Sequence, residues 1–362
     1  MRRIVISGYH GFDNAGDEAI LEVLLQELRA VAKENNHKWH FTVLSASPEK
    51  TSKRYRVDSI QRTNPFTLIK AIWKSKAVVS GGGGLLQDVT GRFTVAYYLA
   101  PCLLAYLMRK PFIIYAHGIG PLRGKINRLL SRLVLNKAAF ISVRDEKSRQ
   151  LLQEIGVKKN IALTADPAFC LEPRHSATTQ KIIENLPAKP AIAVCLRPWP
   201  GLCLEEIATT INVFCQETGA AAVIIPFLPQ TDLPLSREIA KMLTCPNLVV
   251  REELEPAEII ALLQQVELVL AMRLHALIFA TVAGTVPVAL SYDPKINYYM
   301  EQISLPVAGE ADNLSRANLL GELYHSWQRK KQLSLELSAY ANSFKKQACE
   351  TAREISCFLA NL

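Results

Sequence analysis

The cysteines of this chain, at 102, 170, 195, 203, 215, 245, 349 and 357, never stand at C-x-x-C spacing, and His175 has no second ligand near it. Zinc and dithiol signatures are therefore missing, and we expect reduced, mostly buried thiols in a cytoplasmic protein. No apolar run is long enough to cross a bilayer. The longest, YYLAPCLLAYLM at 97–108, falls short of the ~20 residues a span needs and contains Pro101, so it reads as a buried helix. The start, MRRIVISGYH, has too short an apolar run for a signal peptide. Basic residues form no arm, and aromatics do not alternate with them, which argues against a nucleic-acid surface.

Apolar residues are plentiful. They make up 49% of 362 residues, enough for two cores, and the length itself suggests two domains. The net charge of +9 favours acidic partners such as phosphate esters or an anionic membrane surface. Short β-rich runs (3–9, 41–46, 76–82, 111–118, 138–145, 161–169) alternate with amphipathic helical stretches, and the rhythm breaks at the polar residues 171–189. It restarts with runs at 191–199, 221–229, 247–252, 267–273 and 286–294, and the chain reads as helical from about 314. Apolar strands alternating with helices indicate parallel sheets covered on both faces. The expectation is thus two Rossmann-like doubly wound α/β domains facing a cleft, 1–172 and 190–313. A linker over 173–189 joins them, and a helical C-terminal segment, 314–362, follows.

In such sheets ligands bind beyond the carboxyl ends of the strands, so residues at strand-to-helix junctions carry most weight. The first junction, SGYHGFDNAGDEAIL at 7–21, has P-loop glycine spacing, but Asp17 and Glu18 follow where Lys and Ser/Thr belong. It also lacks G-x-G-x-x-G, which excludes a dinucleotide site. One account has the acidic pair complementing a helix dipole. The other has Asp13, Asn14 and Glu18 accepting hydrogen bonds from sugar hydroxyls. The second junction carries four glycines, 81–84, which let backbone N–H groups approach a ligand. Gly82, Gly83, Gln87 and Asp88 join the set expected to line the cleft, with His117 of HGIGP and Arg144 of SVRDEKS. His117 reads equally as a structural histidine, and Arg144 as half of a surface pair with Asp145 or Glu146.

In the second domain CLRPWPG ends a strand with Arg197, and AMRLHAL ends another with Arg273, Leu274 and His275. An isolated arginine in mid-core is prohibitively costly. Either Arg273 is buried against some carboxylate and His275 is a satisfied core histidine, or the cations serve a ligand. Two strand exits that each carry an arginine favour a bound dianion, since the guanidinium fork suits carboxylate and phosphate alike. YDPK adds Lys295, and Pro294 suits a first helical turn.

The ordered set GFDNAGDEA, SGGGGLLQD, HGIGP, VRD, ADPAF, LRPW, RLHA and YDPK resembles the polysaccharide pyruvyl transferase family, in particular its bacterial branch acting on secondary cell-wall polymers. The resemblance implies a GT-B-like fold and transfer of a pyruvyl group from phosphoenolpyruvate to a sugar as a 4,6-ketal. The acceptor implied is N-acetylmannosamine on a lipid-linked precursor at the cytoplasmic membrane face. It likewise implies donor binding at Arg197 and at Arg273–His275. The chemistry of such a transfer makes His275 the candidate acid–base and Asp13, or another first-domain carboxylate, the candidate that orients or deprotonates a hydroxyl. No metal motif stands in the sequence, and the activated donor calls for no cofactor. A lipid-linked acceptor fits peripheral membrane contact, and an oligomer is compatible with all of this. LRGKINRLLSRLVLNK at 122–137 reads either as a helix packed on the sheet or as one resting on anionic lipid. The rival enzyme reading is a GT-B glycosyltransferase using a nucleotide sugar.

Overall fold

Strand β1 (Arg2–His10) opens the chain with IVISG, buried on both faces as a central parallel strand requires. The computed structural model describes residues 2–89 and 91–362. After β1 come α1 (Ala15–Glu34), β2 (Trp39–Ser45), α2 (Pro48–Tyr55), β3 (Asp58–Gln61), α3 (Pro65–Trp73) and β4 (Ala77–Leu86). Then follow α4 (Thr94–Leu107), β5 (Phe112–Ile119), α5 (Lys125–Leu135), β6 (Phe140–Val143), α6 (Glu146–Glu154) and β7 (Ala162–Leu163). The seven strands are parallel in the order β3-β2-β1-β4-β5-β6-β7. Helices α3 to α6 cover one face, with Ile72, Leu99, Leu135 and Leu152 in its core. On the other face lie α1, Tyr55 of α2 and the chain's last residues, Ala352, Ile355 and Leu359.

The second unit begins with α7 (Ala177–Glu184), β8 (Ala191–Cys195), α8 (Leu204–Thr218), β9 (Ala221–Ile224), α9 (Pro229–Met242) and β10 (Asn247–Val249). It continues with α10 (Pro256–Leu263), β11 (Leu268–Ala271), α11 (Leu274–Ala283), β12 (Val286–Ser291), α12 (Pro294–Gln302), β13 (Val307–Glu310) and α13 (Arg316–Ala360). Its six strands are parallel in the order β10-β9-β8-β11-β12-β13. Proline at the first turn starts α9, α10 and α12, where a missing N–H costs nothing.

The compact units are residues 1–170 with 344–362, and 171–343. Residues expected as a bare linker thus include α7, whose Ser176 and Thr179 form a capping box, and they belong to the second unit. The C-terminal segment is one helix shared between the units. The thiol expectation also changes. Cys170 and Cys349 form a disulfide, with Cα atoms 6.1 Å apart, inside the first unit. Their separation of 179 residues left no spacing to read. Among the described residues no helix is long and apolar enough to cross a membrane.

Candidate functional site

Both sheets reverse their winding direction at one place, and the motifs fall there. In the first unit the reversal lies between β1 and β4, so GFDNAG and the glycine run flank it. In the second it lies between β8 and β11, whose exits carry Arg197 and Arg273. Such reversals are where doubly wound sheets open a crevice for ligands.

Most of the first unit's expected site residues turn out to hold the junctions together. Asn14 caps α1, its Oδ1 accepting the Gly16 N–H. Glu18 is buried: Oε1 accepts the Gly11 N–H at 2.8 Å and Oε2 accepts the Tyr55 hydroxyl at 2.7 Å. That carboxylate is committed to the fold and is not placed for a sugar, and burial raises its pKa despite those bonds. Asp13, at φ +61°, pairs with Lys50 through Oδ1 at 2.8 Å.

The glycine run also differs from expectation. It continues β4, with Gly81 and Gly83 in register with Tyr115 and His117 of β5. A Cβ at Gly82 would lie 2.6 Å from Ile20, and one at Gly83 (φ +83°) 2.5 Å from Asp17 Oδ1. Gly82 and Gly83 thus let α1 approach the strand closely, where a side chain would collide. Gln87 Oε1 accepts the Val89 N–H. Asp88 accepts the N–H groups of Arg123 and Gly124 and is bonded by Asn127 Nδ2, which fixes the start of α5.

His117 and Arg144, expected to line the cleft, are buried. His117 Nε2 lies 3.1 Å from both Ser80 Oγ and Ser80 O. Arg144 pairs with Asp166 at 2.7 Å, and the charge of Asp145 also acts on it. Its guanidinium lies over Gly118, where a Cβ would come within 2.8 Å of Nε. His10, which the sequence reading passed over, is buried at the end of β1.

Burial pushes the His117 pKa from 6.5 down to about 4, with the charge of Arg144 adding to it and the Ser80 backbone bond opposing. Burial and then the Arg62 charge push His10 down to about 3. Both rings are neutral in the folded chain, whereas the unfolded chain takes up protons near pH 6.5. Their stability contribution is thus present above that pH and lost as pH falls toward 4. Each ring contributes on the order of 3 kcal/mol by this linkage. Thermal unfolding between pH 7 and 4 is expected to show a steep fall in Tm, flattened in His117→Gln. An unchanged slope in that variant would refute the assignment.

The second unit has a different character. Register places Cys195 opposite Ala271, so Arg197 and Arg273 stand two residues past paired positions on adjacent strands. Their side chains then diverge. Arg273 reaches toward α9, where Nε and Nη2 grip both carboxylate oxygens of Asp232, with Nε to Oδ2 at 2.6 Å, and Nη2 also reaches Thr231 Oγ1 at 3.3 Å. Asp232 is wholly buried and also accepts the N–H groups of Phe227 and Leu228. The two-arginine clamp expected for a dianion is thus not what the structure holds, because one edge of Arg273 is neutralised internally. A buried carboxylate partner for Arg273 is the alternative the sequence left open, but nothing local names Asp232, which lies 41 residues away in α9.

Arg197 reaches the other way, toward the exit of β12. Nη1 donates to the Tyr292 hydroxyl at 2.8 Å. The guanidinium carbon lies 4.6 Å from the Tyr292 ring centre and 5.4 Å from that of Trp199, and these two rings lie 4.5 Å apart. Arg197 Nε is buried with no hydrogen-bond partner among the described residues. A buried charged donor left unsatisfied is costly and marks a place where an acceptor belongs.

Between the arginine exits begins α11. Arg273 occupies its N-cap position and provides no side-chain cap, so the first-turn amides of Leu274 and His275 face outward from a positive helix end. His275 is the second residue of that helix, its ring 6.4 Å from that of Phe279. The other helix expected to assist, α12, is capped by Asp293, which accepts the Lys295 N–H and pairs with Lys295 Nζ at 3.1 Å. Lys295 is thereby partly neutralised.

A family model for polysaccharide pyruvyl transferases matches residues 14–294. The chain belongs to this family. The family is one of transferases. The amylovoran biosynthesis protein AmsJ of Erwinia amylovora is 23% identical over 271 residues, covering 68% of this chain and 64% of that protein. Among solved structures, the S. aureus MnaA–UDP complex aligns with a TM-score of 0.68 at 14% identity, over 100% of this chain and 98% of that one. The UDP-GlcNAc 2-epimerase of Methanocaldococcus jannaschii aligns at 0.67 and 13%, over the whole of both chains. At such identities the likeness is one of fold, and it places the pyruvyl transferase family member among GT-B-like proteins with two parallel-sheet α/β domains.

Proposed function

We propose that this chain moves the pyruvyl group of phosphoenolpyruvate onto two hydroxyls of a sugar, forming a 4,6-ketal and releasing phosphate. The observation that carries the reading is Arg197, a stacked, half-buried cation with an unsatisfied Nε beside the uncapped start of α11. A small donor with a carboxylate and a phosphate supplies the acceptor atoms this arrangement needs. Family membership supplies the reaction class.

The donor's anionic groups meet Arg197 and the amides of Leu274 and His275. Arg273 contributes Nη1, the nitrogen outside its bonds to Asp232, and is chiefly a positioning residue. Lys295 adds long-range positive charge. His275 gives a proton to the enol carbon, which becomes a methyl group, and C2 gains oxocarbenium character. The two sugar oxygens bond to C2 as the bond from C2 to the phosphate oxygen breaks. Of the two hydroxyl protons released, one balances that given to the methyl and the other leaves with phosphate. Asp13, whose Oδ2 is not used in its pair with Lys50, is assigned to orient or deprotonate an acceptor hydroxyl.

The acceptor we assign is an amino sugar, N-acetylmannosamine, on a lipid-linked cell-wall precursor, which would bring the protein to the inner membrane face. The test is mass spectrometry of such an acceptor after incubation with phosphoenolpyruvate. The expected product carries one pyruvyl ketal per sugar, with an equal amount of phosphate released. Phosphate release without an adduct, or no reaction across amino-sugar acceptors, would count against the reading.

A further inference from the structure

Helix α5 seats Val134 and Leu135 in the core of the sheet but leaves other apolar residues outside. It buries the polar Asn127 and Ser131, and Ser131 Oγ finds no partner among the described residues. Meanwhile Ile126, Leu129 and Leu133 are 81%, 48% and 55% exposed. A helix that only covered its own sheet would keep its large apolar residues on the inner face. The exposed stripe has company, since α3, α4 and α5 cover the same face of the first sheet. On α3, Phe66 and Trp73 are 82% and 66% exposed, and on α4 Leu107 is 68% exposed. Large apolar side chains gathered in this way on one face mark a contact surface.

The charge of this region is equally one-sided. From 59 to 143 the sequence holds twelve Lys and Arg and a single acidic residue, Asp88. The carboxylate of Asp88 is already engaged by the start of α5. With +9 on the whole chain, the remaining residues are close to neutral, so the excess sits on this segment. Cations and rings are interleaved there: Lys137 Nζ lies 5.5 Å from the Tyr106 ring centre, and Arg92 4.6 Å from that of Phe93.

We propose that the outer face of α3, α4 and α5 docks on an anionic lipid bilayer, the apolar side chains entering the headgroup boundary and the basic groups meeting lipid phosphates. Aromatic and aliphatic anchors ringed by long basic side chains suit that boundary. A second copy of the chain fits poorly, since a two-fold contact through this face would set its cations against the same cations. This inference goes beyond the transfer reaction and does not rest on it.

Flotation of the full chain with vesicles tests it. One set is phosphatidylcholine alone, and the other contains about a third phosphatidylglycerol, enough for a strong surface potential. The chain is expected to float with anionic vesicles about tenfold more than with neutral ones, and less as salt rises. Ile126→Ser/Leu129→Ser/Leu133→Ser and, separately, Lys70→Glu/Lys74→Glu should each lower binding about tenfold, with unchanged circular dichroism. Should the triple variant unfold, the lysine pair, exposed on α3, carries the test. The proposal is overturned by absence of flotation, by equal binding to neutral vesicles, or by folded variants that float like the parent. Self-association that the triple variant abolishes, without lipid binding, would likewise assign the face to a second copy.

Discussion

Alanine in place of His275 is expected to lower kcat about a thousandfold, within the range for loss of a general acid–base group. Donor affinity should change little. The reason lies in the backbone: the amides of Leu274 and His275 at the start of α11 survive the substitution, as does Arg197, so the anion site is kept while the proton donor is lost. Phosphate release would report the turnover, and calorimetric titration with phosphoenolpyruvate the affinity. A normal kcat in His275→Ala would remove this residue from the chemistry.

The second large effect concerns donor binding, and here the two arginines part company. Arg197→Ala should weaken phosphoenolpyruvate binding about a hundredfold, as expected for loss of a charge-assisted contact. It should leave the fold intact, because the partners it loses are a tyrosine hydroxyl and two ring faces. Lysine should restore little, since a compact ammonium cannot reproduce the stacked planar fork. Arg273→Ala should behave differently. It leaves Asp232 buried without its countercharge, a change worth roughly 3 kcal/mol or more of stability. Chemical denaturation of the two variants separates them. Equal stability losses would show that Arg273 is not the structural half of this pair.

Much of the architecture was legible because parallel strands must be apolar on both faces. IVIS, VVSG, FIIYAHG and LVLA announce themselves by composition. Strands β3 (DSIQ) and β13 (VAGE) are four-residue edge strands without the apolar run that marks a central strand. The site was legible as a set of positions and much less as a set of partners. Arg197, Arg273 and His275 stand out as polar residues at the ends of apolar strands, and the family resemblance adds their link to a donor. That Arg144 would meet Asp166, Glu18 meet Tyr55 and Arg273 meet Asp232 depends on which elements the sheet order brings together, and no local pattern encodes that order. Tyr292 opens the YDPK motif, two positions before Pro294. Its role becomes visible only once Arg197 is seen to reach across the exit of β11 to that of β12.

On the proposed reading, the crevice end of the second sheet binds a small enol ester that carries a carboxylate and a phosphate. Calorimetric titration of the intact chain with phosphoenolpyruvate and, in parallel, with UDP addresses this directly. Saturable binding of phosphoenolpyruvate that Arg197→Ala abolishes, with no heat from UDP, is the predicted result. Tight binding of UDP with none of phosphoenolpyruvate would contradict it and make the chain a nucleotide-sugar enzyme.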